Sequence, residues 1–266
     1  MSVSTTPAVR GLVLRALGTN CEDETARALE RVGASADILH LNALANDPGQ
    51  LADAKLLVIP GGFSYGDDVA AGRLFGHDLR RRLGEPLTRF VADGGYVLGI
   101  CNGFQVLVEL GLIEGLDVPL GARRIALTGN VSNHYECRWV HLRNEASQAK
   151  WLEPGVQWPC PVAHAEGRLA FAPGALEELE AAGQVALRYV SADGGEPDYP
   201  ASPNGSEGHV AGLCDSTGRV LGLMPHPERN FEAWHHPHWT RLGEREAGEG
   251  RTFFESWVRA AAEGGA

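Results

Sequence analysis

Apolar residues in the first hundred positions fall in short, nearly continuous runs separated by polar, helix-patterned segments. Gly11–Leu17, Ala36–Leu41, Lys55–Pro60 and Gly95–Ile100 are the runs. They are too short for helices and apolar on both faces, as parallel strands covered by helices on each side are. Between them, Ala26, Leu29 and Val32 recur at three-residue steps and stop near Gly33. Leu87, Phe90 and Val91 follow Pro86 and precede Gly94, a start and a stop signal. Val106, Leu107 and Leu110 mark a third helix ending near Gly111. Strand alternating with helix predicts a mostly parallel central sheet with right-handed crossovers and flanking helices.

The pattern changes in the second half. Ile125–Leu142, Val185–Val190 and His209–Met224 read as strands joined by tight turns, a small antiparallel sheet. Asp215-Ser-Thr-Gly218 is placed as a hairpin turn. Thr252–Ala262 is helical, with Phe253, Phe254, Trp257, Val258 and Ala261 on one face. There is no internal repeat and no long linker. Residues 1–10 therefore read as a mobile N-terminal tail, and 11–266 as a single domain.

Composition narrows the function. The chain has 266 residues, and at 44% hydrophobic it can offset its folding entropy without disulfide or metal staples. No apolar run approaches the roughly 18 residues of a membrane span, and the polar start lacks the core of a signal peptide. Lys and Arg total 23 against 34 Asp and Glu, a net charge of −11. Nucleic acid and anionic membrane are poor partners for such a chain, which suits a cytoplasmic enzyme. The five cysteines, at 21, 101, 137, 160 and 214, include no C-x-x-C pair, so neither a disulfide framework nor a zinc site is expected.

One thiol stands apart. Gly99-Ile-Cys-Asn-Gly103 carries an apolar strand straight into a helix, the G-x-C-x-G version of a nucleophile elbow. So sharp a turn predicts a strained backbone at Cys101, with glycines leaving room for strand and helix. The helix N-terminus favours the thiolate, and the Asn102 N–H is aimed where an oxyanion would form. A base is available in Pro225-His-Pro-Glu228, where the prolines predict an extended stretch with His226 and Glu228 on one side. A carboxylate beside an imidazole is the orienter–base pair of a triad; the plain alternative is a turn with two solvated side chains. Pro60-Gly-Gly-Phe-Ser-Tyr-Gly-Asp67 has no phosphate-loop lysine, and reads either as an oxyanion loop or as a simple turn.

Together these segments resemble the triad (class I) glutamine amidotransferases, in Gly99-Ile-Cys-Asn-Gly-Phe-Gln105 and in the spacing to Pro225-His-Pro-Glu-Arg229. Gly18-Thr-Asn-Cys-Glu22, Pro60–Asp67, Asn130-Val-Ser132, His164-Ala-Glu-Gly-Arg168, Pro203-Asn-Gly-Ser206 and Gly222–Arg229 narrow the resemblance to the glutaminase subunits of phosphoribosylformylglycinamidine synthases. Ala165 stands where that family has glycine, and Ser202 where asparagine is common. The resemblance implies a flavodoxin-like amidotransferase fold and catalysis by Cys101, His226 and Glu228. It also implies an oxyanion site from Asn102 and the Gly62–Phe63 loop, with Gln105 seating glutamine. No cofactor or metal is implied for this chain; ATP and Mg belong to a synthetase partner, which takes the ammonia, and a small bridging subunit completes the complex.

Rival features weigh less. His164 and Glu166 also lie two apart, but the family pattern puts the catalytic pair at 226 and 228. The segment Trp234-His-His-Pro-His-Trp239 reads as a surface loop, because adjacent histidines in an extended piece face opposite ways. Asp67 and Asp68 read as loop-capping residues. A cysteine peptidase-like or deglycase-like enzyme would not be expected to carry Pro-His-Pro-Glu, and an idle scaffold has no need of three matched groups.

Overall fold

The computed structural model describes residues 9–115 and 123–264. All but Val9 and Arg10 of the expected N-terminal tail lie outside the described residues, and Arg10 opens the first strand rather than belonging to a tail. The elements that build the site come first. They are β1 (Arg10–Arg15), α1 (Glu22–Arg31), β2 (Ser35–His40), α2 (Leu41–Asn46), β3 (Leu56–Ile59), α3 (Arg73–Ala92), β4 (Tyr96–Ile100) and α4 (Asn102–Leu110). There follow β5 (Ile125–Thr128), β6 (Glu136–Asn144), β7 (Gln157–His164), β8 (Arg168–Phe171), α5 (Ala175–Ala181), β9 (Val185–Val190), β10 (Val210–Cys214), β11 (Val220–Leu223) and α6 (Glu249–Glu263).

Nine strands form one sheet in the order β2-β1-β3-β4-β11-β10-β9-β6-β7. The first five are parallel, with β11 as the fifth member of a flavodoxin-type 2-1-3-4-5 arrangement. From β11 onward every pairing is antiparallel, and β5 with β8 makes a separate two-stranded antiparallel sheet. The central strands β3, β4 and β11 are buried but for the half-buried Tyr96 that opens β4, which is why they read as continuous apolar runs. Helix α6 covers the sheet with Phe253, Phe254, Trp257, Val258 and Ala261, the face expected of it.

Three expectations change. The helix placed after Pro86 begins at Arg73, so Pro86 lies in its interior. Phe75, Leu79 and Leu83 continue the stripe of Leu87 and Phe90, and their burial outweighs the lost backbone hydrogen bond. The run Ile125–Leu142 is two strands in two sheets. Asn130 breaks it, donating to the carbonyls of His134 and His164 and turning the chain. Strands β7 and β8 and helix α5 were not foreseen. β7 carries Pro159 and Pro161, which argue against a central strand but are admissible at the sheet edge it occupies.

Replacing Pro86 by alanine restores an N–H inside α3. We expect Pro86→Ala to raise the unfolding free energy by roughly 1–2 kcal/mol, the helix-interior gain less the lost unfolded-state restriction. Urea denaturation checks it, and a less stable variant would contradict the helix register described.

Candidate active site

The flavodoxin-type arrangement decides the location. β1, β3, β4 and β11 are neighbours in the sheet and parallel, so the loops leaving their carboxyl ends converge on one edge, where ligands of such sheets bind. Those loops carry Cys21, Gly61–Asp67, Cys101 and His226.

Cys101 is the residue between β4 and α4, at φ 52° and ψ −106°, a conformation a side chain rarely adopts. The strained elbow is held from both sides. Its N–H extends the strand pairing by donating to Leu223 O at 2.8 Å, and its carbonyl accepts from the N–H groups of Phe104 and Gln105. A Cβ at Gly103 would stand 1.7 Å from Ile59 O, so only glycine lets α4 start this close to β3. The thiol is buried, 3.5 Å from Ala163 O.

His226 follows β11 and donates its N–H to Pro161 O at 2.8 Å. The extended stretch expected around it is instead one 3-10 turn, Pro227–Asn230, with His226 capping it and Pro227 in the first position. Proline suits that position, where the N–H has no intrahelical acceptor. The turn brings the side chains together all the same: His226 Nδ1 is 2.5 Å from Glu228 Oε1, and both side chains are essentially sealed from solvent. Burial pulls the imidazole toward its neutral form. The adjacent Glu228 carboxylate and the nearby Cys101 overcome it and raise the proton affinity of His226. Glu228 holds one side of the imidazole, and its Nε2 is buried with no hydrogen-bond partner among the described residues, near the Cys101 thiol.

Asn102 ties the elbow to the loop after β3. Its Oδ1 accepts from Ser64 N–H at 3.2 Å, and its Nδ2 donates to Asp67 at 3.1 Å and to Gln105 Oε1 at 2.9 Å. Gln105 Nε2 donates in turn to Glu166 O at 2.6 Å, so both ends of the Gln105 amide are engaged within the protein. Asp67 is pushed up to about 6 by burial and by neighbouring Glu166, against the Asn102 hydrogen bond. Phe63 donates its N–H to Gly18 O at 3.0 Å, leaving Gly62 as the candidate oxyanion donor of that loop.

His164 and Glu166 do not form a second pair. His164 Nδ1 lies 3.2 Å from Asn130 Oδ1, while Glu166 Oε2 accepts from Ala71 N–H. Because Asn130 Nδ2 donates to two carbonyls, its Oδ1 faces the ring and His164 must donate there. The crowded histidines at 235, 236 and 238 serve the turn: His235 Nδ1 accepts from the N–H groups of Phe231 and Glu232, and His236 Nδ1 from that of His238. The sequence reading missed the assembly around Cys21, whose Sγ accepts from Arg229 at 3.1 Å while Arg229 also binds Glu24 at 2.9 Å. Only its place in Gly18-Thr-Asn-Cys-Glu22 hinted at a role.

His164 supplies a test of the buried polar layer. Burial, with the charge of His226, pushes it down to about 4 from 6.5. Below 6.5 the unfolded chain binds a proton that the folded chain refuses, so stability falls as pH falls. From pH 6.5 to about pH 5 the loss is roughly 2 kcal/mol. Denaturation at several pH values should show this slope in the native protein and lose it in His164→Gln; an identical slope in both would refute the assignment.

Comparison with known proteins agrees with the geometry. Residues 8–259 match the CobB/CobQ-like glutamine amidotransferase domain. A phosphoribosylformylglycinamidine synthase subunit PurQ from Dehalococcoides mccartyi is 39% identical over 254 residues, 94% of this chain and 97% of that one. Its counterpart from Methanococcus maripaludis is 41% identical over 222 residues, 83% of this chain and 82% of the relative. Among solved structures, a chain of PurLQS from Thermotoga maritima superposes with a TM-score of 0.70 at 28% identity, covering 95% of this chain and 98% of that chain. An elbow thiol, a buried imidazole–carboxylate pair and a match over nearly the whole length lead to one statement: the chain belongs to the CobB/CobQ-like glutamine amidotransferase family.

Proposed function

We propose that this chain is the glutaminase subunit of a cytoplasmic phosphoribosylformylglycinamidine synthase. The observation that carries the proposal is the buried His226–Glu228 pair beside the strained Cys101 elbow, at the carboxyl ends of β11 and β4. The names of the relatives supply the pathway. No helix among the described residues is long and apolar enough to cross a membrane.

Cys101 thiolate attacks the side-chain carboxamide carbon of glutamine. The oxygen takes up negative charge, and the N–H groups of Asn102 and Gly62 stabilise it. The Asn102 N–H opens α4 and has no acceptor within the helix, and Phe63 positions the loop through its bond to Gly18. His226 delivers its proton to the departing nitrogen, the C–N bond breaks, and ammonia leaves a γ-glutamyl thioester on Cys101. Water then gives a proton to His226 and adds to the thioester carbon, expelling the thiolate and releasing glutamate. Glu228 holds the ring by its Nδ1–H throughout and stabilises the imidazolium. Gln105 seats the substrate by fixing Asn102 and the Glu166 main chain that frame it. The ammonia passes to a synthetase subunit, which holds ATP and Mg and converts formylglycinamide ribonucleotide to the amidine, with a small bridging subunit in the complex. This chain contributes no cofactor.

Trapping with a glutamine-mimicking diazoketone, with the synthetase present, should place a single adduct on Cys101, prevented by excess glutamine. An adduct elsewhere, or none, would favour a scaffold that regulates the synthetase without turnover of its own. His226→Ala should lower glutamine-dependent turnover by about 10³-fold or more. His164→Ala should be far milder, and the reverse ranking would overturn the assignment of the base.

A further inference from the structure

We propose that a divalent transition metal of the zinc type binds at Cys21, Glu24, His226 and Glu228 and switches the active site off. Its consequence rests on the glutaminase reading; the binding site itself does not. One ligand atom from each of the four residues lies within 4.8 Å of all the others. A thiolate sulfur, an imidazole nitrogen and two carboxylate oxygens are the donors of a tetrahedral zinc site, whereas magnesium and calcium prefer oxygen alone. No Cys-x-x-Cys spacing announces it, because two ligands come from the loop and helix after β1 and two from the turn after β11.

Three further features point the same way. Glu228 gives Oε1 to His226, and its Oε2 is buried with no hydrogen-bond partner among the described residues. Cys21 and His226 pack on Gly61, where an added Cβ would lie 3.1 Å from Sγ and 2.8 Å from Cε1, so both side chains share one small space. A cavity of about 760 Å³, lined by Glu24, Glu228 and Arg229 among others, leads to the cluster from outside.

At present the Arg229 guanidinium is the cation of this corner, on Glu24 and the Cys21 sulfur. Its side chain is more than a third exposed and has room to swing away. The metal would take its place and expel the Cys21 proton to solvent. Drawing His226 and Glu228 to the metal ends their mutual hydrogen bond and removes the base, while Cys101 stays outside the ligand set. The device makes ammonia release sensitive to free zinc.

The test separates binding from turnover. Titration of Cys101→Ala with Zn²⁺ by calorimetry should show one site per chain. Adding Cys21→Ser should weaken it by roughly 100-fold, and adding the milder, partly exposed Glu24→Gln by roughly 10-fold. Arg229→Gln should strengthen it. With Co²⁺, the ultraviolet thiolate charge-transfer band should be present in Cys101→Ala and absent once Cys21 is also replaced. In the assembled wild-type complex, Zn²⁺ should stop glutamine hydrolysis and a chelator restore it. Loss of binding in Cys101→Ala would place the metal on the nucleophile and overturn the proposal, as would unchanged affinity in both the Cys21 and Glu24 variants. Failure of the glutaminase reading would appear separately, as metal-free protein and partner that release no ammonia.

Discussion

Helix α4 starts against β3 with no side chain between them, since a Cβ at Gly103 would stand 1.7 Å from Ile59 O. That contact lets the chain turn from β4 into α4 within one residue, and Cys101 absorbs the turn at φ 52° and ψ −106°. Everything at the site is referred to this point. The Cys101 N–H is anchored to β11, so the Cys101 thiol and the His226 that follows β11 belong to one frame. Asn102, the first residue of the helix, reaches the loop after β3 and sets its position relative to the thiol. A strained conformation of this kind costs about 1–3 kcal/mol and persists because the surrounding sheet over-determines it.

The second constraint is electrostatic. His226 and Glu228 are buried in a place that disfavours isolated charge, and each makes the other tolerable. The consequence is that the ring orientation and tautomer of His226 are held by the protein itself. The same burial leaves one carboxylate oxygen without a hydrogen-bond partner among the described residues, and a second thiol, Cys21, and a second carboxylate, Glu24, stand close by on Arg229. The proposed catalytic pair and the proposed zinc ligand set share this one buried corner.

The antiparallel half of the sheet supports the site instead of forming it. β7 passes beside the thiol through Ala163, receives the His226 N–H at Pro161, and ends at His164. Asn130 joins that strand end to the turn between β5 and β6 and keeps the His164 ring in one tautomer. The neutral His164 is therefore held by Asn130 and not by Glu166.

Much of this was legible in the order of residues. The runs at β1, β3 and β4 are buried on both faces, so hydrophobicity alone marked them, whereas β2 is a half-exposed edge strand; glycines around a cysteine between strand and helix announced the elbow because only one backbone geometry needs them. The hairpin at Asp215–Gly218 and the apolar face of α6 followed from local chemistry in the same way. Local rules failed where a distant partner decided the outcome. Pro86 sits inside α3 because a buried stripe on both sides of it outweighs one missing hydrogen bond. β7 escaped notice because prolines are excluded from central strands and only the assembled sheet makes this one an edge. Glu228 meets His226 through a 3-10 turn and not through strand alternation. Residue types and their order along the chain determined which groups were available and that a thiol would stand at a strained turn. The tertiary structure alone decided which groups meet, because β1, β3, β4 and β11 become neighbours only when the sheet closes and carries residues some two hundred positions apart to the same edge.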